Sequence, residues 1–193
     1  KKLKVGHAGT LDPLASGLLI ICTGKKTKTI TAIQDEIKEY TGIIQLGATT
    51  ASYDLETEPE NFQDTSNLKE IKIEKIAKSM EGEVDQLPPI FSAKKINGKR
   101  AYNLARAGET PQMNSKRINI YVFDIINIEA AEVHFKITCS KGTYIRSIAN
   151  DLGEKLKVGG YLKALRRTKI GNHSVDNAIG IDEMVKLIEG NKT

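Results

Sequence analysis

The sequence contains little cysteine and histidine, and this scarcity excludes several kinds of protein. Its two cysteines, Cys22 and Cys139, lie far apart in the chain, and its three histidines show no metal-ligand spacing. A zinc module, a metal site and a disulfide framework are therefore not expected. We expect both cysteines in the core and, because so few cysteines are typical of a reducing compartment, a cytoplasmic location.

Long apolar runs are also missing. The longest spans residues 18–22, whereas a membrane-spanning helix needs about 20 apolar residues, so membrane insertion is excluded. Apolar residues still make up 39% of the 193 residues, enough for the core of one domain. No repeat, low-complexity tract or linker divides the chain, which predicts a single domain over residues 1–193. The first residue is Lys1 rather than Met, so we expect a fragment.

The net charge of +5 is modest, but the charges are unevenly distributed. Residues 94–117 contain seven basic residues and one acidic residue, and residues 141–169 contain eight basic and two acidic residues. Residues 54–85 contain ten acidic and four basic residues. Two basic blocks are typical of a protein that binds a polyanion. Charge alone agrees equally well with a solvated, lysine-rich surface.

Hydrophobic periodicity predicts an α+β domain with a mixed, largely antiparallel central sheet flanked by helices. Alternation of apolar and polar residues predicts strands at residues 118–128 and 132–139, the second with one wet face. Helical spacing predicts helices at residues 73–80 and 145–156 and a last helix from Asp182, as its N-cap, to residue 190. Further strands are expected at residues 18–22, 40–46, 90–96 and 164–171.

Two segments are predicted to leave the body of the sheet. Residues 48–67 are polar and lack periodicity, which predicts a long exposed loop. The pair Asn97-Gly98 is a strong signal for a hairpin turn. Because basic residues surround this turn, we expect an arm that grips a phosphate backbone.

Residues 6–17, with the sequence GHAGTLDPLASG, form the densest motif of the chain. Its three glycines permit backbone conformations closed to other residues and allow a ligand to approach closely. Pro13 forces Asp12 out of the helical region, so the loop presents this carboxylate from a rigid position. The alternative interpretation is an ordinary turn aspartate.

Residues 140–146, with the sequence SKGTYIR, mark the end of a strand and the start of a helix. With Thr143 as N-cap, Arg146 falls in the first helical turn, where a cation opposes the helix dipole. This unfavourable position predicts an acidic partner for Arg146, either a protein carboxylate or a phosphate. The alternative is an exposed arginine that the helix start tolerates.

These motifs resemble the active-site motifs of the TruB family of tRNA pseudouridine synthases. The resemblance is carried by residues 6–17 and continues in the same order to about residue 170. A twelve-residue motif followed by several collinear matches is a specific signal. The further matches are Lys38-Glu39-Tyr40, Leu46-Gly47, Ser92-Ala93, Gly98-Lys99-Arg100, residues 140–146, Asp151-Leu152-Gly153 and Leu165-Arg166-Arg167.

The resemblance implies the pseudouridine synthase fold and the isomerisation of uridine to pseudouridine without a cofactor. The substrate would be the tRNA T-loop, at the position conventionally numbered 55. Asp12 would be the catalytic aspartate, Tyr40 the active-site tyrosine that stacks on the target base, and Arg146 the arginine that pairs with Asp12. The implied substrate-binding residues are His7, Gly9, Thr10 and Leu165. The basic block and its turn add Lys95, Lys99 and Arg100 as expected RNA contacts.

A base inside a folded loop must be extruded before an enzyme can reach it. By resemblance, His7 enters the RNA and helps hold the uridine flipped out, Leu165 lines the pocket, and an insertion at about residues 90–117 grips the T-arm. We expect a monomer that binds the T-arm of tRNA. Whether Asp12 attacks C1′ or acts by proton abstraction and charge stabilisation stays open.

Two departures from the family pattern concern the ends of the chain. A strand and a helix normally precede the glycine-rich motif, which here begins at residue 6, and no C-terminal RNA-binding domain is visible. Three other interpretations stay open. They are a non-catalytic tRNA-binding or tRNA-folding protein on the same scaffold, a basic protein with unspecific RNA affinity, and a guide-RNA enzyme.

Overall fold

The computed structural model describes residues 3–92, 95–96, 99–101 and 113–190. Its helices are α1 (Ile30–Asp35), α2 (Glu70–Ser79), α3 (Ile145–Leu156) and α4 (Ile181–Gly190), with 3-10 helices at Gly24–Thr29 and Val175–Asn177. Its strands are β1 (Val5–His7), β2 (Ser16–Gly17), β3 (Ile21–Thr23), β4 (Lys38–Leu46), β5 (Gly82–Gln86), β6 (Lys95–Ile96), β7 (Lys99–Arg100), β8 (Lys116–Glu129), β9 (Glu132–Cys139), β10 (Gly160–Ile170) and β11 (His173–Ser174).

A seven-stranded sheet forms the centre of the described fold. Six strands follow the order β11-β10-β4-β9-β8-β5, and each pair of neighbours in this order is antiparallel. The short strand β2 pairs parallel with β10, which makes the sheet mixed. The predicted α+β class with a largely antiparallel sheet is therefore confirmed.

One face of the sheet carries the hydrophobic core. In β9, the side chains of Val133, Phe135 and Ile137 are at most 1% exposed, whereas His134 between them is half-buried on the other face. Helices α2 and α3 pack on the buried face and contribute apolar side chains to the core. The alternation in the sequence thus predicts both strands β8 and β9 and the face that is buried.

The strands predicted for residues 18–22 and 90–96 are wrong in part. The first begins only at Ile21, because the Leu18 amide instead donates to the carbonyl of Arg167 at 2.8 Å. Residues 90–92 are not strand, and the Phe91 carbonyl accepts a hydrogen bond from Arg146 at 2.9 Å. Backbone groups committed to partners elsewhere are unavailable for a strand ladder.

The predicted basic hairpin is present as two short strands. β6 and β7 pair antiparallel, with Lys95 opposite Arg100 and Ile96 opposite Lys99. The turn residues Asn97 and Gly98 lie outside the described residues, as does most of the insertion expected at residues 90–117.

Both predicted N-caps are displaced, the first by one residue and the second by two. Helix α3 begins after Tyr144, and the hydroxyl of Thr143 donates to the Ser140 carbonyl instead of capping the helix. Helix α4 begins at Ile181, so Asp182 lies in its first turn. No helix in the described parts of the chain has the length and apolar character that crossing a membrane requires.

Candidate active site

The glycine-rich segment forms an irregular loop beside the sheet. β1 ends at His7, and the loop returns to the sheet where β2 pairs with β10. Gly17 has a φ of +99°, and a Cβ added there would lie 2.3 Å from the carbonyl oxygen of Arg167, so only glycine fits. Asp12 lies within this loop, outside helix and strand, as the Asp12-Pro13 pair predicts.

Arg146 holds Asp12 from the first turn of α3. Arg146 Nε donates to Asp12 Oδ2 and Arg146 Nη2 donates to Asp12 Oδ1, both at 2.9 Å. This bidentate geometry is the strongest that an arginine and a carboxylate form. The Arg146 side chain is 4% exposed and that of Asp12 is 36% exposed. The acidic partner predicted for Arg146 is therefore a protein carboxylate, and that carboxylate keeps an open side.

Arg146 is also fixed by a second carboxylate and two carbonyls. Its Nη1 donates to the carbonyls of Phe91 at 2.9 Å and Ser52 at 3.3 Å. Its Nε lies 3.5 Å from Oδ2 of Asp54, whose side chain is 4% exposed. Oδ1 of Asp54 accepts from the Ser52 hydroxyl at 2.6 Å and from the Glu56 amide at 3.0 Å. Arg146 thus stands between a buried and a solvent-open carboxylate.

Sequence reasoning missed Asp54. It placed residues 48–67 in an exposed loop, yet Thr50, Ser52 and Asp54 are at most 3% exposed in the structure. The segment is irregular, as predicted, but its first half packs under the active site. Residues 54–64 contain five carboxylates, so no signal in a single sequence distinguishes the buried one from its exposed neighbours.

A cavity of about 340 Å³ opens beside the Asp12–Arg146 pair. Its volume lies at the lower end of the range for small-ligand sites. Asp12 and Arg146, one from each motif, both line this cavity, although they are 134 positions apart in sequence. The predicted site residues that line this cavity are Gly9, Thr10, Asp12, Tyr40, Arg146 and Leu165.

The cavity wall presents an aromatic ring and an apolar side chain. Burial raises the pKa of Tyr40 to about 12, and the positive charge of Arg167 acts in the opposite direction. The phenol is therefore uncharged near pH 7. Leu165 on the neighbouring strand β10 is partly buried against the core. Such a wall suits a planar ring that stacks on one side and contacts an aliphatic group on the other.

Other predicted site residues are not brought to this cavity. His7 is exposed at the end of β1 and is absent from the cavity lining. For Lys95, Lys99 and Arg100 the structure describes the strand backbone, and their side chains lie outside the described residues. The RNA contacts of these four residues stay predictions.

Buried cations give the cavity a positive environment. The side chain of Lys38 is buried, and its Nζ donates to the carbonyls of Gln34 and Glu36, both at 2.5 Å. Burial, followed by the charge of Arg167, lowers the pKa of Lys38. Lys38 and Arg167 line the same cavity as Arg146, an arrangement that suits a polyanionic ligand. Within the described residues, no group of three or more potential metal ligands occurs.

The fold matches protein chains in two solved complexes. The structure superposes on a Cbf5 chain of a Cbf5-Nop10-Gar1 complex with a TM-score of 0.71 and 27% identity, covering 98% of this chain and 49% of that chain. It also matches a chain from an H/ACA RNP bound to a substrate RNA containing 2′-deoxyuridine, with a TM-score of 0.68, 25% identity and coverage of 98% and 47% of the two chains. The chain spans about half of each of these proteins.

The sequence comparisons are more specific. A family model described as TruB family pseudouridylate synthase (N terminal domain) matches residues 1–145. The chain is 54% identical over 181 residues to tRNA pseudouridine synthase B of Flavobacterium johnsoniae, covering 94% of this chain and 79% of the relative. It is 51% identical over 188 residues to that of Chloroherpeton thalassium, covering 97% and 78%. The chain belongs to the TruB family, as its motifs predict.

Proposed function

We propose that the protein isomerises uridine to pseudouridine in tRNA, at the T-loop position conventionally numbered 55. The observation that carries the proposal is the open Asp12 carboxylate, held by Arg146 at the mouth of a cavity in a TruB family member. A protein that only bound or folded tRNA would have no use for this arrangement. The family membership and the geometry therefore favour catalysis over that alternative.

The reaction breaks the C1′–N1 bond, turns the uracil over and joins C5 to C1′. The proton on C5 is released to solvent, and N1 takes up a proton in its place, so the product is an isomer of the substrate. Each step needs a carboxylate beside C1′ and a wall that retains the detached base. Asp12 supplies the carboxylate, and Tyr40 and Leu165 supply the wall. Attack of Asp12 on C1′ and proton abstraction by Asp12 are both compatible with this geometry.

The target base leaves the stack of the T-loop before it reaches this cavity. In our proposal, exposed His7 enters the RNA and fills the vacated position. Gly9 and Thr10 border the bound nucleotide, because they line the cavity next to Asp12. Residues 1–193 form one catalytic domain that acts as a monomer in the cytoplasm, and its insertion at about residues 90–117 contacts the T-arm.

The decisive experiment compares Asp12→Asn with the wild-type chain on a T-arm hairpin that carries C5-tritiated uridine. Release of tritium reports the isomerisation, and filter binding reports affinity for the hairpin. We expect the variant to lose about 10³-fold or more in rate with binding nearly unchanged, because a charge that acts at the reacting atom is removed.

Asp182→Asn, in the exposed first turn of α4, is the matched control and should leave both readouts unchanged. Normal turnover by Asp12→Asn contradicts the proposed role of this carboxylate. A wild-type chain that binds the hairpin without releasing tritium would show a non-catalytic tRNA-binding protein instead.

A further inference from the structure

Arg167 is the largest fully buried side chain among the described residues, at 2% exposure. It lies on β10, opposite Tyr40 of β4. The ion pairs formed by the described residues do not include it. Burying a cation without a carboxylate partner is costly, so the structure must compensate the charge by other means.

The compensation comes from carbonyl groups of the glycine-rich loop. Arg167 Nε donates to the Leu18 carbonyl at 2.9 Å. Its Nη2 donates to the Gly9 carbonyl at 3.1 Å, and its Nη1 donates to the Thr10 carbonyl at 3.4 Å. Asp12 lies between these attachment points. One guanidinium therefore holds both ends of the loop that carries the proposed catalytic carboxylate.

The backbone of Arg167 contributes to the same attachment. Its carbonyl accepts the Leu18 amide at 2.8 Å, and Gly17 is its partner in the β2–β10 pair. Its position opposite Tyr40 in the β4–β10 pair also brings it against the strand that carries this ring. A single residue thus contacts the loop that presents Asp12 and the strand that presents Tyr40.

Bonding three separate carbonyls requires a side chain with several hydrogen-bond donors. Arginine carries five N–H groups in a fixed plane and can reach carbonyls in different directions, whereas lysine offers one nitrogen. Without these bonds, a loop containing Gly6, Gly9 and Gly17 has many accessible backbone conformations. Arg146 alone would then have to hold the Asp12 carboxylate in its place beside the cavity.

We propose that Arg167 is a positioning residue, which sets the Asp12 carboxylate against the reacting sugar by holding both ends of the loop of residues 9–18. This inference depends on the proposed function, because it assigns Arg167 a part in the same reaction. Arg167 touches no reacting atom in this proposal. It acts through the geometry of the loop, where a displacement of about 1 Å costs about 10²-fold in rate.

The test uses Arg167→Lys and Arg167→Gln, with Arg166→Lys as matched control. Arg166 is the preceding residue of β10, and its side chain is exposed. Single-turnover tritium release is measured at saturating enzyme, together with the dissociation constant for the T-arm hairpin. We expect both Arg167 variants to lose about 10²-fold in rate, with binding within about threefold of wild type.

Two results would overturn the proposal. One is an Arg167→Lys variant with a rate within about threefold of wild type. A buried positive charge of similar size would then be enough for the reaction, and the several donors of the guanidinium would not be needed. The other is a parallel loss of binding and melting temperature that accounts for the slower reaction, as a purely structural role predicts. Arg166→Lys should stay within about twofold of wild type in every readout.

Hydrogen exchange in the wild-type chain provides a second measurement that needs no variant to fold. The Leu18 and Ala8 amides are bonded to the Arg167 and Ile20 carbonyls, so the peptide of residues 8–18 should contain slowly exchanging sites. Uniformly fast exchange in this peptide overturns the anchoring. A wild-type chain that makes no pseudouridine overturns the proposed function instead, and the exchange result still decides whether the loop is anchored.

Discussion

At the scale of single residues, the site is organised around one guanidinium between two carboxylates. Arg146 donates two hydrogen bonds to Asp12 and lies 3.5 Å from Asp54. Asp12 is partly open to solvent, whereas Asp54 is buried. A buried arginine with two acidic neighbours is less costly than one with a single neighbour, because the second charge offsets more of its desolvation. Asp54 therefore helps to keep Arg146 where Asp12 needs it.

This arrangement predicts the effect of Asp54→Asn. Asparagine retains the oxygen that accepts from Ser52 and the Glu56 amide, and it replaces the charged oxygen beside Arg146 with a neutral NH2 group. We expect tritium release to slow by about 10- to 100-fold, because Arg146 and with it Asp12 lose part of their alignment. Affinity for the hairpin should not change. Glu56→Gln, on the exposed neighbour, is the control, and an Asp54→Asn rate equal to that control would refute the argument.

Single residues of the site differ in how far the sequence reveals them. The loop position of Asp12 could be predicted from the following proline, and the acidic partner of Arg146 from a cation in a first helical turn. Their roles in catalysis are implied by the family resemblance. Asp54 and Lys38 could not be predicted, since their importance comes from burial by segments far away in sequence. Burial of a polar residue in a polar segment leaves no periodic pattern to read.

At the scale of elements, strand and helix predictions succeed where burial is regular. β8, β9, α2 and α3 each bury one face, so the spacing of their apolar residues reports the fold directly. The residues that directly follow Gln86 show the opposite case. Phe91 and Ser92 precede the predicted arm, and Phe91 is fixed by a hydrogen bond from Arg146, not by its own pattern.

The start of helix α3 is held by a side chain from strand β5. Gln86 is 4% exposed at the end of β5. Its Nε2 donates to the Tyr144 carbonyl at 3.0 Å, and its Oε1 accepts the Tyr144 amide at 2.8 Å. No side chain caps α3, and Gln86 instead fixes the backbone of Tyr144, the residue directly before the helix.

Gln86→Ala is therefore expected to be destabilising and to slow the reaction. The Tyr144 amide loses its partner, while the Tyr144 carbonyl still accepts the Ile148 amide, so the free energy of unfolding should fall by about 1–3 kcal/mol in a urea titration. The rate of tritium release should also fall, since Arg146 lies in the turn that Gln86 holds. Gln45→Ala is the matched control, because Gln45 donates to the Leu46 carbonyl away from the cavity. Equal effects of the two substitutions would contradict this role of Gln86.

At the scale of the whole molecule, the distribution of charge matters more than its sum. A net charge of +5 says little about a partner, but the basic residues are concentrated in two blocks. The block at residues 141–169 contains Arg146 and Arg167, which are buried and bonded within the protein. These two arginines are therefore unavailable for binding phosphates outside the cavity, which shifts the expected backbone contacts toward the block at residues 94–117.

Removing charge from that block should change how binding responds to salt. Each basic side chain that pairs with a phosphate releases a counterion, and removing one such pair lowers the slope of log K against log salt by somewhat less than one. We expect the triple variant of Lys95, Lys99 and Arg100 to alanine to flatten this slope by about 2–3 on a T-arm hairpin.

The matched control replaces Lys69, Lys72 and Lys75 of the acidic block with alanine. All three are exposed on or next to α2. The same reduction of net charge there should leave the slope nearly unchanged. An equal flattening by both triple variants would mean that net charge, and not the arm, attracts the RNA.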